Sequence, residues 1–470
     1  MSFLNTVLVV IEALLALNLL IFVHELGHFL AARWRGMKVE RFAIWFGNPI
    51  WKKKIGGVEY ALGWIPAGGY VSLPQMATME AIEGKTESSA EQLPSAAPLD
   101  KIIVAIAGPL FSFLLALAFA VIVWQVGKPS PAGKDEPILG FVVPDGPAWK
   151  AGLRAGDTIV SIDGHQIKTY GPPSSDSILW RVITSENTNL TIVYKRDGVE
   201  KTAYATPFKR ETKWYERKAM RQILVNSVFK PVVGSVLTNS PADKAGLQKG
   251  DEIVALDGEK IYSISAVEYA EDLMTNKDAK PITLTVKRGS EEMEKSLMAE
   301  KPTQPTNFPP MFGIAWQDST NHLSYPGPWD QVESAAGQIF ATIGAVASRH
   351  TEIGAQHLGG AVMIIRVYSN LFQSEEGWRM VLWFSVVLNV NLAMLNMLPL
   401  PVLDGGHILL SLVELVRRRA ASPRILNWIQ TGFAVLLITF MVWIAFYDIG
   451  DWIRGSRGEK PQQIIFAPKK

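Results

Sequence analysis

Cysteine is absent from all 470 residues. That excludes disulfides and thiolate zinc sites, so a bound metal would rest on His, Asp or Glu. It leaves the redox compartment open. An excess of one charge is also missing. Lys and Arg number 46 against 44 Asp and Glu, a net charge of +2, which makes no electrostatic case for nucleic acid. Charged residues are scarce altogether, at 19%, while hydrophobic residues reach 48% and mean hydropathy is +0.14. A wholly soluble chain of this length is less apolar; the composition fits a membrane protein with a soluble insert. No cleavage site precedes the first apolar run, which is read as retained.

Four apolar runs reach the roughly 20 residues needed to cross a hydrocarbon core of about 30 Å. They cover residues 4–29, 102–126, 380–398 and 425–446. A fifth patch, 335–347, is shorter, contains Gln338, and reads as an amphipathic surface helix. Arg33, Arg35, Lys38, Arg41, Lys52, Lys53 and Lys54 follow the first run, and Arg417, Arg418, Arg419 and Arg424 follow the third. Residues 1–6 carry no Lys or Arg. The positive-inside rule then makes both basic loops cytoplasmic, and the termini and the long segment 127–377 extracytoplasmic. The tail fits less well, since Arg454, Arg457, Lys460, Lys469 and Lys470 would lie outside. Trp51, Trp64, Trp383, Trp428 and Trp443 are expected at membrane interfaces.

At the end of the first run stands His24-Glu25-Leu26-Gly27-His28. Two His at i and i+4 share one helix face with a Glu beside them, which is the zinc-hydrolase arrangement. A charged side chain in a bilayer costs about 2.5–3.5 kcal/mol on insertion scales, so such groups are functional candidates. A His pair satisfied by its neighbours would not explain Glu25. A second cluster follows the third run: Asn391, Asn396, Pro399, Pro401, Asp404, Gly405, Gly406 and His407. The prolines end the helix at membrane depth, where freed backbone is tolerable only against protein or a polar cavity. A hydrolytic zinc takes three protein ligands and keeps a fourth position for water. Asp404, 376 residues beyond His28, is the natural third ligand, the alternative being a cap after the helix break. His407 is not read as a ligand. His165, His322, His350 and His357 occur singly and read as surface or capping residues.

The segment 127–377 contains an internal repeat. Pro147-Ala148, Ala151-Gly152-Leu153, Gly156-Asp157-Thr158-Ile159-Val160 and Asp163-Gly164 recur 94 residues later as Pro241-Ala242, Ala245-Gly246-Leu247, Gly250-Asp251-Glu252-Ile253-Val254 and Asp257-Gly258. Each copy predicts a short helix, a Gly-Asp turn, an apolar strand and an Asp-Gly hairpin turn. The copies resemble PDZ domains, which bind chain ends by adding a strand to a sheet edge. Residues 140–143 and 234–237 are the candidate receiving strands. The repeats either grip peptide or form a rigid cap that excludes bulky substrates.

His-Glu-x-x-His in a first span, together with Asn396-x-x-Pro399-x-Pro401-x-Leu403-Asp404-Gly405, resembles the site-2 protease family of intramembrane zinc proteases. Two PDZ-like repeats between the second and third spans are similar to its RseP-like branch. Further matches are Gly68-Gly69-Tyr70-Val71 after Pro66, Ala107-Gly108-Pro109, and Leu358-Gly359-Gly360. Two residues depart from the branch. Ser112 stands where Asn is usual and Gly360 where Pro is common, which bears on local packing or gating and not on the metal site.

The resemblance implies a multi-pass α-helical membrane protein of about four spans with two inserted extracytoplasmic PDZ-like α/β domains and a membrane-associated β-hairpin. The expected order is a first span with the zinc motif (1–36), a cytoplasmic segment (37–98) with the hairpin at 61–71 and a flexible loop at 76–98, and a second span (99–127). The repeats follow (128–227 and 228–302), then a linker with an amphipathic helix (303–377), a third span with the Leu-Asp-Gly region (378–424), a fourth span (425–448) and a tail (449–470). It further implies one Zn2+ per chain on His24, His28 and Asp404, with Glu25 as catalytic base. Asn396 and the hairpin residues Gly68, Gly69 and Tyr70 would bind unwound substrate. Substrates would be single-span membrane proteins such as anti-sigma factors or signal-peptide remnants. An upstream site-1 type protease would cut first, with the enzyme in the bacterial inner membrane and its site towards the cytoplasm. No nucleic-acid partner is expected. A non-catalytic scaffold presenting peptides through the repeats is the alternative, and it would not need Glu25 and all three ligands.

Overall fold

The computed structural model describes residues 3–76, 96–130, 133, 136–171, 174–275, 280–305, 307–317, 322–374, 376–419, 423–456 and 464–467. Most of the loop expected at 76–98 lies outside them. The chain divides into two compact units. The first comprises Met1–Lys128, Tyr325–Phe340 and Leu358–Gly450, and the second Pro129–Ser324, Ala341–His357 and Asp451–Lys470.

In the first unit, α1 (Phe3–Trp34) is followed by β1 (Arg41–Phe46), β2 (Trp51–Ile55), β3 (Val58–Leu62), β4 (Ile65–Ser72) and α2 (Pro98–Val126). The four strands form one sheet in the order β2-β3-β1-β4. The hairpin expected over residues 61–71 is therefore not one. β1 lies between β3 and β4, parallel to β3 (Phe42↔Tyr60) and antiparallel to β4 (Phe42↔Val71). The turn between β3 and β4 passes so close to β1 that a Cβ on Gly63 would lie 2.3 Å from the Phe46 carbonyl oxygen. Phe42, Val58 and Val71 bury their side chains with Ala31 and Ala32 of α1 and Val104 of α2, which fixes β4 beside α1. The α1–α2 contact is close, since a Cβ on Gly27 would meet the Ala107 carbonyl oxygen at 2.4 Å.

The second unit holds all but the first residue of β5 (Lys128–Ser130), which pairs with β18 (His322–Ser324), and the two repeats. The first repeat runs β6 (Leu139–Val142), α3 (Pro147–Lys150), β7 (Thr158–Ile162), β8 (His165–Gln166), α4 (Ile178–Thr184), β9 (Leu190–Arg196), β10 (Val199–Ala205) and β11 (Val225–Ser227). The second runs β12 (Val233–Val236), α5 (Pro241–Lys244), β13 (Glu252–Leu256), β14 (Glu259–Lys260), α6 (Ile264–Leu273), β15 (Ile282–Arg288), β16 (Glu291–Leu297) and β17 (Ile314–Trp316). Both form a four-stranded sheet of one pattern, β10-β9-β7-β8 and β14-β13-β15-β16, beside a two-stranded pair. Asp163-Gly164 and Asp257-Gly258 all have positive φ, as a tight hairpin turn requires. Each Gly-Asp turn is locked by an arginine: Arg196 Nε donates to Asp157 Oδ1 and Arg288 Nε to Asp251 Oδ1, both at 2.7 Å.

The candidate receiving strands each pair along one edge, β6 with β11 and β12 with β17. The second repeat also takes β17 from beyond residue 302, its expected end.

The chain closes with α7 (Pro328–Ala347), α8 (Ala361–Gln373), α9 (Gly377–Asn396), α10 (Asp404–Arg417) and α11 (Pro423–Ser456). The patch expected to lie as a surface helix, 335–347, is the C-terminal part of α7. In this helix Val332, Ala335 and Ile339 are buried against Ala116 and Ala120 of α2 and Val390 of α9. The expected linker also hides a second helix, α8, whose Tyr368 is fully buried with its hydroxyl 2.8 Å from Ser385 Oγ. Among the described residues, four helical segments are long and apolar enough to cross a membrane: Val7–Trp34, Pro98–Val126, Gly377–Asn396 and Trp428–Arg454. Their outer surfaces expose large apolar side chains such as Leu15, Leu114 and Val435, as lipid contact demands. Gly360 departs from the usual proline for a visible reason. Its N–H donates to Asp448 Oδ2 at 3.0 Å, a bond that proline cannot make.

Candidate metal centre

His24 and His28 lie one turn apart on α1 with their rings 4.9 Å apart. Asp404 reaches them from the first turn of α10, its oxygens 3.3 Å from His24 Nε2 and 3.4 Å from His28 Nε2. One ligand atom from each of the three residues falls within 4.8 Å of the others, close enough to share a metal ion. The residues beyond the prolines arrange this. After α9 ends at Asn396 the chain turns sharply, and a Cβ on Gly405 or Gly406 would strike the carbonyl oxygens of Met397 or Leu400 at 2.3 and 2.1 Å. The two glycines, in the first turn of α10, let that helix start against the turn that precedes it.

Each imidazole is held from behind. A His that binds metal through Nε2 carries its proton on Nδ1 and needs an acceptor there. His28 Nδ1 lies 2.8 Å from the Val104 carbonyl oxygen, and His24 Nδ1 lies 3.0 Å from Ser112 Oγ. Both acceptors belong to α2. Asp404 Oδ2 is buried without a hydrogen bond among the described residues. Gly108 leaves room for the second ring, since a Cβ there would fall 2.1 Å from His28 Nε2. Two nitrogens turned inward, an orphaned carboxylate oxygen and no thiolate form a donor set that suits a hydrolytic zinc.

A cavity of about 280 Å³ opens on these groups. Glu25, Gly68, Gly69, Asn396 and His407 share its wall with apolar residues including Ile21, Leu392 and Val402. Asn396 Nδ2 is 3.4 Å from His24 Nε2. Of the hairpin residues, Tyr70 faces elsewhere. Its ring stacks on Phe46 at 6.0 Å and its hydroxyl accepts from Arg41 Nη1 at 3.1 Å. Ser112 corrects the opposite way. Its departure from the usual Asn bears directly on a candidate ligand, which the sequence could have signalled only through its spacing four residues after Gly108. We expect Ser112→Ala to weaken zinc binding by about 10–100-fold, as loss of an outer partner typically does. Competition with a calibrated chelator measures this, and an unchanged affinity would show that Ser112 does not orient His24.

The model of peptidase family M50 matches residues 12–440, so the chain belongs to this family of site-2 proteases and is a zinc metalloprotease. Among its relatives, a Neisseria meningitidis protein with a zinc metalloprotease name is 29% identical over 92% of this chain and 96% of its own. The regulator of sigma-E protease RseP of Salmonella typhimurium is 27% identical over 93% of this chain and 97% of its own. The protease RseP of Yersinia pestis is equally similar, 27% over 93% and 97%.

Proposed function

We propose that this peptidase cleaves peptide bonds within the spans of single-span membrane proteins, with one zinc per chain held by His24, His28 and Asp404. The observation that carries the reading is the convergence of those three side chains, from helices 376 residues apart in sequence, on one cavity that also contains Glu25. When bound, zinc supplies Lewis-acid activation of water and of the scissile carbonyl. Glu25 takes the proton of the attacking water as the new C–O bond forms, then hands it to the leaving amine as the C–N bond breaks. A helical substrate must first unwind. β4 is the edge strand of its sheet on the cavity side, and Gly68 and Gly69 present backbone without side chains, so unwound substrate adds there as a further strand. Asn396 donates to the substrate backbone.

The relatives named regulators of sigma-E make anti-sigma factors the leading substrate class, with signal-peptide remnants beside them, each trimmed first by a site-1 type protease. The repeats act as PDZ-like domains on the extracytoplasmic side of a bacterial inner membrane. Purified enzyme in liposomes should cut a single-span substrate within its span, by mass spectrometry of the fragments, and stop when zinc is chelated. Cleavage confined to loops outside the span would overturn the reading. Orientation has its own test. Single Cys residues at Lys53 and Arg418 should resist membrane-impermeant thiol reagents in intact cells while one at Asp163 reacts. The absence of native Cys removes background labelling.

A further inference from the structure

The two repeats share one framework at the start of their last strands. Ala148 N–H donates to the Ile223 carbonyl at 3.2 Å and Val143 N–H to that of Leu224 at 3.1 Å. In the second repeat Ala242 N–H donates to the Phe312 carbonyl at 3.0 Å and Leu237 N–H to that of Gly313 at 2.9 Å. Ile223 thus corresponds to Phe312, and Leu224 to Gly313. Leu224 and Gly313 both have positive φ, 57° and 77°, so the same turn precedes β11 and β17. Helix α4 in the first repeat corresponds to α6 in the second, each capped by a serine, Ser177 and Ser263.

The framework is filled differently in the two copies. In the first, a cavity of about 940 Å³ runs beside β11, with Leu179 and Ile183 of α4 along its wall. Among the described residues its lining includes Ser263, Ile264 and Ser265 of the second repeat and two arginines, Arg210, which pairs with Glu216 at 3.9 Å, and Arg221, which pairs with Glu352 at 3.8 Å, but no Asp or Glu. Ile223 lines it too, and its N–H has no partner among the described residues. In the second, the corresponding Phe312 N–H donates to Glu271 Oε1. Helix α6 is ten residues long against seven for α4, and Glu271 lies in the added turn. Counted from the capping serines, the residue of the first repeat at this position is Ser185. Its hydroxyl bonds Asp163 Oδ2 at 2.6 Å. Burial pushes the Glu271 carboxyl up to about 7, with Asp272 and Glu268 nearby adding to the rise and the Phe312 amide opposing it.

We infer that Glu271 is a built-in substitute for a peptide's terminal carboxylate: it closes the second repeat to chain ends, and leaves the first as the repeat that takes them. The ligand class is a peptide with a free C-terminal carboxylate and an apolar last residue. The carboxylate meets the Ile223 amide and the two arginines, and the last side chain enters the apolar wall. The inference rests on the PDZ-like reading of the repeats, and its test separates the two.

Full-length protein in detergent micelles is titrated with a photoreactive, apolar-ended peptide, free or amidated at its C-terminus. The free peptide should bind the wild type at one equivalent, label residues near Ile223, and lose at least tenfold in affinity when amidated. Glu271→Ser should add a second equivalent that labels near Phe312. Glu271→Gln keeps an oxygen on the amide, and should stay at one equivalent while reporting that the domain still folds. Labelling near Phe312 in the wild type, or no second equivalent in a folded Glu271→Ser protein, overturns the role of Glu271. No binding to the wild type or to Glu271→Ser overturns the PDZ-like reading itself. A second-repeat site appearing in Glu271→Ser without any first-repeat site keeps the closure by Glu271 and removes the first repeat as its counterpart.

Discussion

Glu25→Gln is expected to lower cleavage of a single-span substrate by about 10²–10⁴-fold, the usual contribution of a positioned base, while zinc stays bound. Glu25 follows His24 directly on α1, so helix geometry turns it beside the ligand face. It lines the same cavity as the three candidate ligands, and its Cγ would lie 3.1 Å from a Cβ at Gly69, which places it next to β4. Gln fills the same volume and keeps an oxygen there, but accepts no proton at neutral pH. Turnover in liposomes and metal analysis of the same preparation check both halves. Residual activity within tenfold of the wild type removes Glu25 as the base.

Asp404→Ala should abolish activity by a different route, through loss of the metal. Two imidazoles on one helix remain, and a hydrolytic zinc needs a third protein ligand. Affinity should fall by more than the 10–100-fold expected for an outer partner such as Ser112. Chelator competition and metal analysis are the measurements, and full occupancy in a folded variant would take Asp404 out of the site. Gly405→Ala offers a milder version. Its Cβ would press on Met397 and Leu398 carbonyl oxygens at 2.3 and 2.4 Å, shifting the start of α10 and with it Asp404.

Local chemistry was legible in the sequence because it follows the backbone's own periods. His24, Glu25 and His28 share a helical face by spacing alone, and Pro399 and Pro401 announce a helix break. The repeats were legible because a turn such as Asp163-Gly164 dictates its own conformation. Strand order was not. A parallel β1–β3 pair between non-adjacent partners leaves no mark on residue alternation, so residues 61–71 look like a hairpin when β1 in fact separates the two strands. The partners of the candidate receiving strands were hidden similarly, because β11 and β17 come from much later in the chain. Ser112 was missed for a third reason. Its role depends on which face of α2 meets His24, and an almost uniformly apolar helix carries no pattern to reveal that.

The contact between α1 and α2 has a consequence for the lipid. Gly27 and Gly108 leave no spare space, and both acceptors behind the imidazoles are on α2 while the rings are on α1. Any change in the spacing of the two helices therefore moves a ring relative to its acceptor. A span mismatched to its bilayer tilts or kinks, at a cost of fractions of a kcal/mol per Å, and a tilt of either helix would alter that spacing. We therefore expect enzyme reconstituted in lipids of different chain length to differ in zinc affinity before any substrate arrives, as chelator competition would measure.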